Sequence, residues 1–146
     1  MKRFFKYVCL ILSLSLLLAM PAQAAEAADS RASNYFMNSA VYLYKTSSTS
    51  FQAWFEVTCV RTMDKVGAKE IKIQRSSDNE TWTTVATYSM NNYYSTLIAE
   101  DLGFHVACVN YTGTSGYYYR AHYRLYAEDE AGSAVWDRYS SSIYIS

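Results

Sequence analysis

Proline is nearly absent from this chain: one residue in 146, Pro21. With no further proline there is no stiff linker of the kind that separates tandem domains, and most of the chain reads as one unit. Five glycines leave no glycine-rich loop to cradle a phosphate, and no serine stands in a glycine-flanked nucleophile turn. The two histidines, His105 and His122, have no metal-ligand spacing to each other or to the cysteines. Each is expected as an ordinary sheet residue; no metal, cofactor or catalytic residue is implied, and the chain is not expected to be an enzyme. No window sustains apolar spacing at 3.6 residues, which argues against amphipathic helices. An excess of positive charge is missing too: 13 basic residues stand against 13 acidic ones, leaving no electrostatic footprint for nucleic acid.

The one long apolar run, Tyr7 to Met20, is too short to span a bilayer comfortably. Preceded by Lys2, Arg3 and Lys6 and followed by Ala22-Gln23-Ala24, it reads as a secretory signal peptide over residues 1–24, cleaved after Ala24. The expected mature protein is secreted and mildly acidic, with 10 basic and 13 acidic residues once the signal is removed. Cys59 and Cys108 are the cysteines that remain, and an even number in an exported chain predicts one disulfide between them. Closing a loop of roughly 50 residues, it would stabilise the fold by about 4 kcal/mol.

What the chain has in abundance is strand-forming sequence. Residues 71–88, IKIQRSSDNETWTTVATY, alternate Ile71 and Ile73 with Lys72 and Gln74, turn through Ser76–Asn79, and resume with Trp82, Val85 and Tyr88. That is the pattern of a half-buried antiparallel hairpin. Before it, Phe51, Ala53, Phe55, Val57 and Cys59 fall on one face of a strand, and Gln52, Trp54, Glu56 and Thr58 on the other. Asp64, Lys65 and Gly67 read as a connection. After the hairpin, Phe104, Val106 and Cys108 share a face that looks apolar in the same way as that of Cys59. Tyr117–Ala127 form a tyrosine-rich strand, and Ala134–Ile145 the last one. Residues 25–33 read as a loose lead, and residues 34–146 as one all-β domain, a single antiparallel β-sandwich.

The order of these strands, with YYYRAHYRLYAEDEAG near the end, resembles the fibronectin type III and immunoglobulin-like sandwiches of extracellular proteins. Tyr123, Leu125, Ala127 and Gly132 are similar to the penultimate strand and final hairpin turn of fibronectin type III modules. More narrowly, DKVGAKEIKIQRSSDNETW resembles a family of short secreted proteins of Gram-positive bacteria whose function is unknown. The fibronectin-like order implies that the strands holding Cys59 and Cys108 are neighbours, so the bridge would be a cross-strand one within a sheet.

Two clusters are candidates for a site. Glu128, Asp129 and Glu130 form an acidic turn without a calcium-loop pattern, so a solvated turn is expected. Tyr118, Arg120, His122, Arg124 and Tyr126 set aromatic and basic groups along one side of a strand. Tyrosine offers a flat ring with a hydroxyl handle, and arginine a fork for carboxylate or phosphate, so this face suits a sugar, an anionic wall polymer or a protein. Ordinary outer-sheet packing explains the same residues. The sequence thus points to a secreted binding module, extracellular or at the cell surface, with an unknown protein or glycan partner. A carbohydrate- or wall-polymer-binding protein and a subunit of a surface fibre or oligomer are the alternatives.

Overall fold

The computed structural model describes residue 32 and residues 34–146. The expected signal segment and its cleavage point lie outside these residues, as does the lead of residues 25–33 apart from Ala32. Seven strands follow: β1 (Phe36–Lys45), β2 (Ser50–Ser76), β3 (Thr83–Ser89), β4 (Ile98–Thr112), β5 (Tyr117–Asp129), β6 (Gly132–Tyr139) and β7 (Ile143–Ile145). A single helical turn, α1 (Tyr94–Leu97), leads into β4. All pairings are antiparallel, and the strands make one continuous sheet curled into a half-barrel.

The 27-residue strand β2 is the spine. Its first half pairs with β1 on one edge and β4 on the other; its second half pairs with β5, and with the start of β4 and then β3. Bulges let so long a strand curl. Between Thr58↔Phe104 and Met63↔Leu102, β2 advances five residues while β4 advances two, leaving three extra residues on β2. Unpaired residues in one strand bend it and add twist, and Val60, Arg61 and Thr62 are pushed into solvent there. A second bulge, between Ala68 and Glu70 opposite β5, changes the parity of the buried face from Val66 and Ala68 to Ile71 and Ile73. The expected connection at Asp64–Gly67 is therefore a bend inside one strand.

Folding β2 brings the inner faces of two lobes together. Phe51 packs on Tyr119 with ring centroids 5.4 Å apart, Phe55 lies 6.5 Å from Tyr123, and Phe36 lies 5.6 Å from Trp136. Tyr123 is fully buried and donates its hydroxyl to the Tyr42 carbonyl across the gap, 3.2 Å away. Burial pushes that phenol far above its ordinary pKa, and the one bond it makes satisfies the group that burial would otherwise strand. With Val57, Met63, Val66, Leu97, Leu125 and Ile145 these rings fill one core.

The hairpin at Ser76–Thr83 closes as its residues dictate. The Asp78 carboxylate accepts from the Ser76 hydroxyl (2.7 Å) and from the Glu80 and Thr81 amides (2.9 and 2.8 Å), while Asn79 takes a positive φ of 62°. Those bonds hold Asp78 far below the usual carboxylate pKa, the Ser76 hydroxyl most strongly. The expected last strand is broken in two. At the break, buried Ser140 keeps the ladder satisfied, its amide donating to Ala121 O (3.0 Å) and its hydroxyl accepting from Ala121 N (2.9 Å).

The disulfide expected between Cys59 and Cys108 is absent, and both thiols are free. Their strands are indeed neighbours, but Cys108 stands opposite Trp54, five positions from Cys59 and on the other face of the sheet. Five residues of extended chain span about 16 Å, well beyond the roughly 7 Å limit for bridged Cα atoms. Burial raises the Cys59 thiol to about 11, and raises that of Cys108 as well.

Candidate functional site

The outer face of the β5 lobe carries the residues singled out in the sequence, and the structure brings all five together. β5 lies between β2 on one side and β6 and β7 on the other, so Tyr118, Arg120, His122 and Arg124 are half-buried and Tyr126 is buried. Most of their polar atoms are already engaged. The Arg120 guanidinium sits 4.4 Å from the Trp82 ring and 4.9 Å from that of Tyr139, and its Nε donates to Gln74 Oε1 at 2.8 Å. His122 stacks on Tyr139 at 4.4 Å with planes 8° apart, and its Nε2 meets Asp137 Oδ1 at 2.7 Å. Arg124 approaches the same carboxylate at 3.8 Å, Tyr118 packs on Tyr144 at 4.9 Å, and the Tyr126 hydroxyl donates to Glu128. This is a packed, self-complementary surface whose cations already have partners. What it leaves open is aromatic: Tyr139 and Tyr144 are about half exposed.

The acidic turn beside it is likewise engaged. Glu128 pairs with Lys65 at 2.7 Å, and Asp129 with Arg61. Lys65 in one case and Arg61 in the other hold these carboxyls below their ordinary pKa. Tyr35 adds a hydroxyl to Asp129 at 3.2 Å. Among the described residues there is no group of three or more side chains placed to hold a metal ion. His105 faces inward, edge-on to Phe55 at 5.6 Å with a ring nitrogen 2.9 Å from the Thr96 carbonyl.

The other lobe presents a different surface. Here the register turns Phe104, Val106 and Cys108 outward, because the residues opposite Val57, Phe55 and Ala53 are His105, Ala107 and Val109. The expectation that Phe104, Val106 and Cys108 share the buried side with Cys59 is therefore reversed. A one-residue difference in register exchanges the faces of a whole strand. Four rows of side chains cross the three strands: Tyr44, Gln52 and Asn110; Tyr42, Trp54 and Cys108; Ala40, Glu56 and Val106; Asn38, Thr58 and Phe104. Tyr42 is 48% exposed, Tyr44 60%, Phe104 56% and Val106 45%, and no described element covers them.

The polar groups of this face are aligned by a chain of bonds. The Trp54 indole N–H donates to Gln52 Oε1 at 2.9 Å, and Gln52 Nε2 donates to Asn110 Oδ1 at 3.0 Å. An indole nitrogen only donates, so the first bond fixes the orientation of Gln52 and, through it, that of Asn110. The Tyr42 and Trp54 rings are parallel within 3°, their centroids 6.3 Å apart. Beside Cys108 and Asn110 the surface dips into a cleft of about 270 Å³ lined also by Tyr88, Tyr93, Thr96 and Val109. Tyr88 ties the cleft wall to β4 by donating to the Asn110 carbonyl at 2.7 Å.

Compared with known proteins, the chain matches no family model, no curated protein and no solved structure. The site therefore has to be read from its own chemistry. In the sequence Trp54 lies on the face opposite Cys59 and is core or surface according to register; the register places it outward, with Tyr42, Phe104 and Val106 beside it. The signal that could have placed them is the alternate set His105, Ala107, Val109 and Tyr111, which is less apolar than Phe104, Val106 and Cys108 but closes on Val109, in the core, and Tyr111, packed against it.

Proposed function

We propose that this chain is an exported, non-enzymatic binding module that engages its partner through the outer face of the β1–β2–β4 lobe. The observation that carries this reading is the uncovered aromatic grid around Tyr42 and Trp54, on a rigid sheet and with its amides already oriented. Large apolar side chains exposed together on a folded surface mark interaction sites far more often than scattered ones do. The secretory signal supports export. The all-β antiparallel fold is compatible with the immunoglobulin-like or fibronectin type III-like sandwich expected from the sequence, an architecture suited to extracellular recognition.

The test is retention of the purified mature chain on whole bacterial cells and on isolated cell walls, with folding checked by circular dichroism. Tyr42→Ala/Trp54→Ala is expected to abolish retention, while Arg120→Ala/Arg124→Ala keeps it, because those guanidinium groups are held within the other face. Retention that survives the first pair of substitutions and is lost with the second would move the site to the β5 face. A second reading, a subunit of a surface fibre, draws on Leu102, Phe104 and Val106. They are exposed on β4, a strand that among the described residues pairs only with β2, and a strand edge of this kind is a template for pairing between chains.

A further inference from the structure

We infer that the occupant of the β1–β2–β4 face is a neutral polysaccharide. This inference rests on the binding role proposed above and names the chemistry of the partner.

Three features of the face point the same way. The first is charge. Of the twelve side chains in the four rows Glu56 is the one acidic residue and none is basic, so the face carries a carboxyl group and no cation. The nearest lysine in sequence, Lys45, is turned aside, its Nζ donating to the Tyr144 carbonyl at 3.2 Å. A polyanion such as a teichoic acid or an acidic glycan meets no counter-charge here and is repelled by Glu56. The second is the type of polar group. Fixed carboxamides, phenol hydroxyls and a carboxylate are the donors and acceptors that bond vicinal hydroxyls without requiring charge on the ligand. Here the donor-only indole N–H fixes Gln52 and Asn110 in advance. Because those amides are set before binding, little side-chain entropy remains to be lost. The third is shape. The parallel, stacked rings of Tyr42 and Trp54 stand beside these amides on the outer face of three adjacent strands, and the neighbouring Tyr44 ring is 60% exposed. An aromatic face takes the apolar C–H face of a pyranose ring while groups at its edge bond the equatorial hydroxyls. Three strands and four rows span about 10 by 20 Å, an extended platform suited to a polymer rather than to one sugar.

A second copy of the chain is the competing occupant. It would bury Phe104 and Val106 at the far end of the face, but it would also place the Gln52–Asn110 row and Glu56 in an interface core, where charged groups are depleted.

The inference is tested by native affinity electrophoresis and calorimetry of the mature chain against soluble β-glucan, xylan and mannan, with polygalacturonate and heparin as polyanions. Sedimentation velocity is run over a range of protein concentrations. One of the neutral polymers is expected to bind, with affinity unchanged between low and high salt. Trp54→Ala and Gln52→Ala/Asn110→Ala are each expected to weaken it by roughly tenfold or more, as truncation of a buried anchor does. Trp54→Phe keeps a ring but not the indole donor, and is expected to fall between wild type and Trp54→Ala. Salt-sensitive binding to the polyanions alone overturns the inference. So does concentration-dependent dimerisation that Val106→Glu removes. Cell-wall retention that depends on Trp54 with no response to any neutral polymer also overturns it, yet leaves the binding role standing; loss of both retention and polymer binding removes the two together.

Discussion

Replacing Gly67 by alanine puts a methyl group where backbone already lies. Gly67 sits in the bend of β2, paired at once with Ile98 on β4 and Tyr126 on β5, with a φ of 154°. A Cβ built there falls 1.9 Å from the Leu97 carbonyl oxygen, 2.9 Å from its carbon and 3.1 Å from the Ile98 Cα. All three atoms are backbone, so no side chain can swing away. The oxygen would have to retreat by more than an ångström, dragging α1 and the start of β4 with it. Forcing atoms into a packed interior costs about 1–3 kcal/mol, and holding alanine in a glycine backbone conformation about 1–3 kcal/mol more. Gly116 separates the two contributions: its φ is 88°, but nothing lies within 4 Å of a Cβ built on it. Gly116→Ala should therefore cost only the conformational part, and the excess for Gly67→Ala, about 1–3 kcal/mol, measures the clash. For a domain of this size each kcal/mol moves the melting temperature by about 4 °C. Urea unfolding of both variants, followed by circular dichroism and tryptophan fluorescence, gives the comparison. Equal costs, or a Gly67→Ala variant within 0.5 kcal/mol of wild type, would refute the argument that the bend of β2 is closed by backbone-to-backbone packing.

Three further outcomes are expected. Denatured, unreduced mature protein should titrate with two reactive thiols; in the native state Cys108 should react ahead of buried Cys59, whose thiol is raised to about 11 by burial, and the absence of any reactive thiol would restore the disulfide. Acid should destabilise the fold through Glu128 and Asp129: their folded pKa values are depressed by Lys65 and Arg61, so their contribution is complete above the unfolded values near 4 and is lost as pH falls through the folded ones. A urea midpoint that stays flat from pH 5 to about pH 2 would contradict this. Val106→Lys should change stability by less than about 0.5 kcal/mol, whereas Val109→Lys, which buries a charge against Ala53, should cost about 3 kcal/mol or more; the opposite order would mean that the register of β4 is wrong.

Much of the local structure was legible because local chemistry decides it. Ser76, Asp78 and Asn79 close the hairpin with their own side chains, and the alternation of Tyr119, Ala121, Tyr123 and Leu125 against Tyr118, Arg120, His122 and Arg124 survives intact in a central strand. Long-range features were not legible in the same way. Asp64–Gly67 carries the composition of a turn, yet β2 runs through it, because pairing with β4 on one edge and β5 on the other outweighs local preference. Tyr93–Leu102 carries no clear period in the sequence because it holds one helical turn and then the start of a strand, each too short to show one.

The facing of β4 is where two sequence signals conflict, and the conflict is itself informative. Phe104-His105-Val106-Ala107-Cys108-Val109 has two interleaved sets, and the one that begins with the larger apolar residues is the one the sequence points to as inward. The structure turns the other inward: Ala107 stands opposite Phe55, whose ring lies 6.5 Å from that of Tyr123, and Val109 stands opposite Ala53. Leaving phenylalanine and valine outside sacrifices roughly 1.5–3 kcal/mol of burial for each. A sequence that could exchange them for threonine or lysine without strain, and does not, keeps an apolar platform on its surface next to an oriented row of amides. On the β5 lobe the opposite holds: its conspicuous basic and aromatic residues draw attention in the sequence, but in the fold Trp82, Tyr139, Gln74 and Asp137 already occupy them. Composition alone draws attention to the β5 face; the hydrogen-bond partners show how many of its polar groups are already engaged.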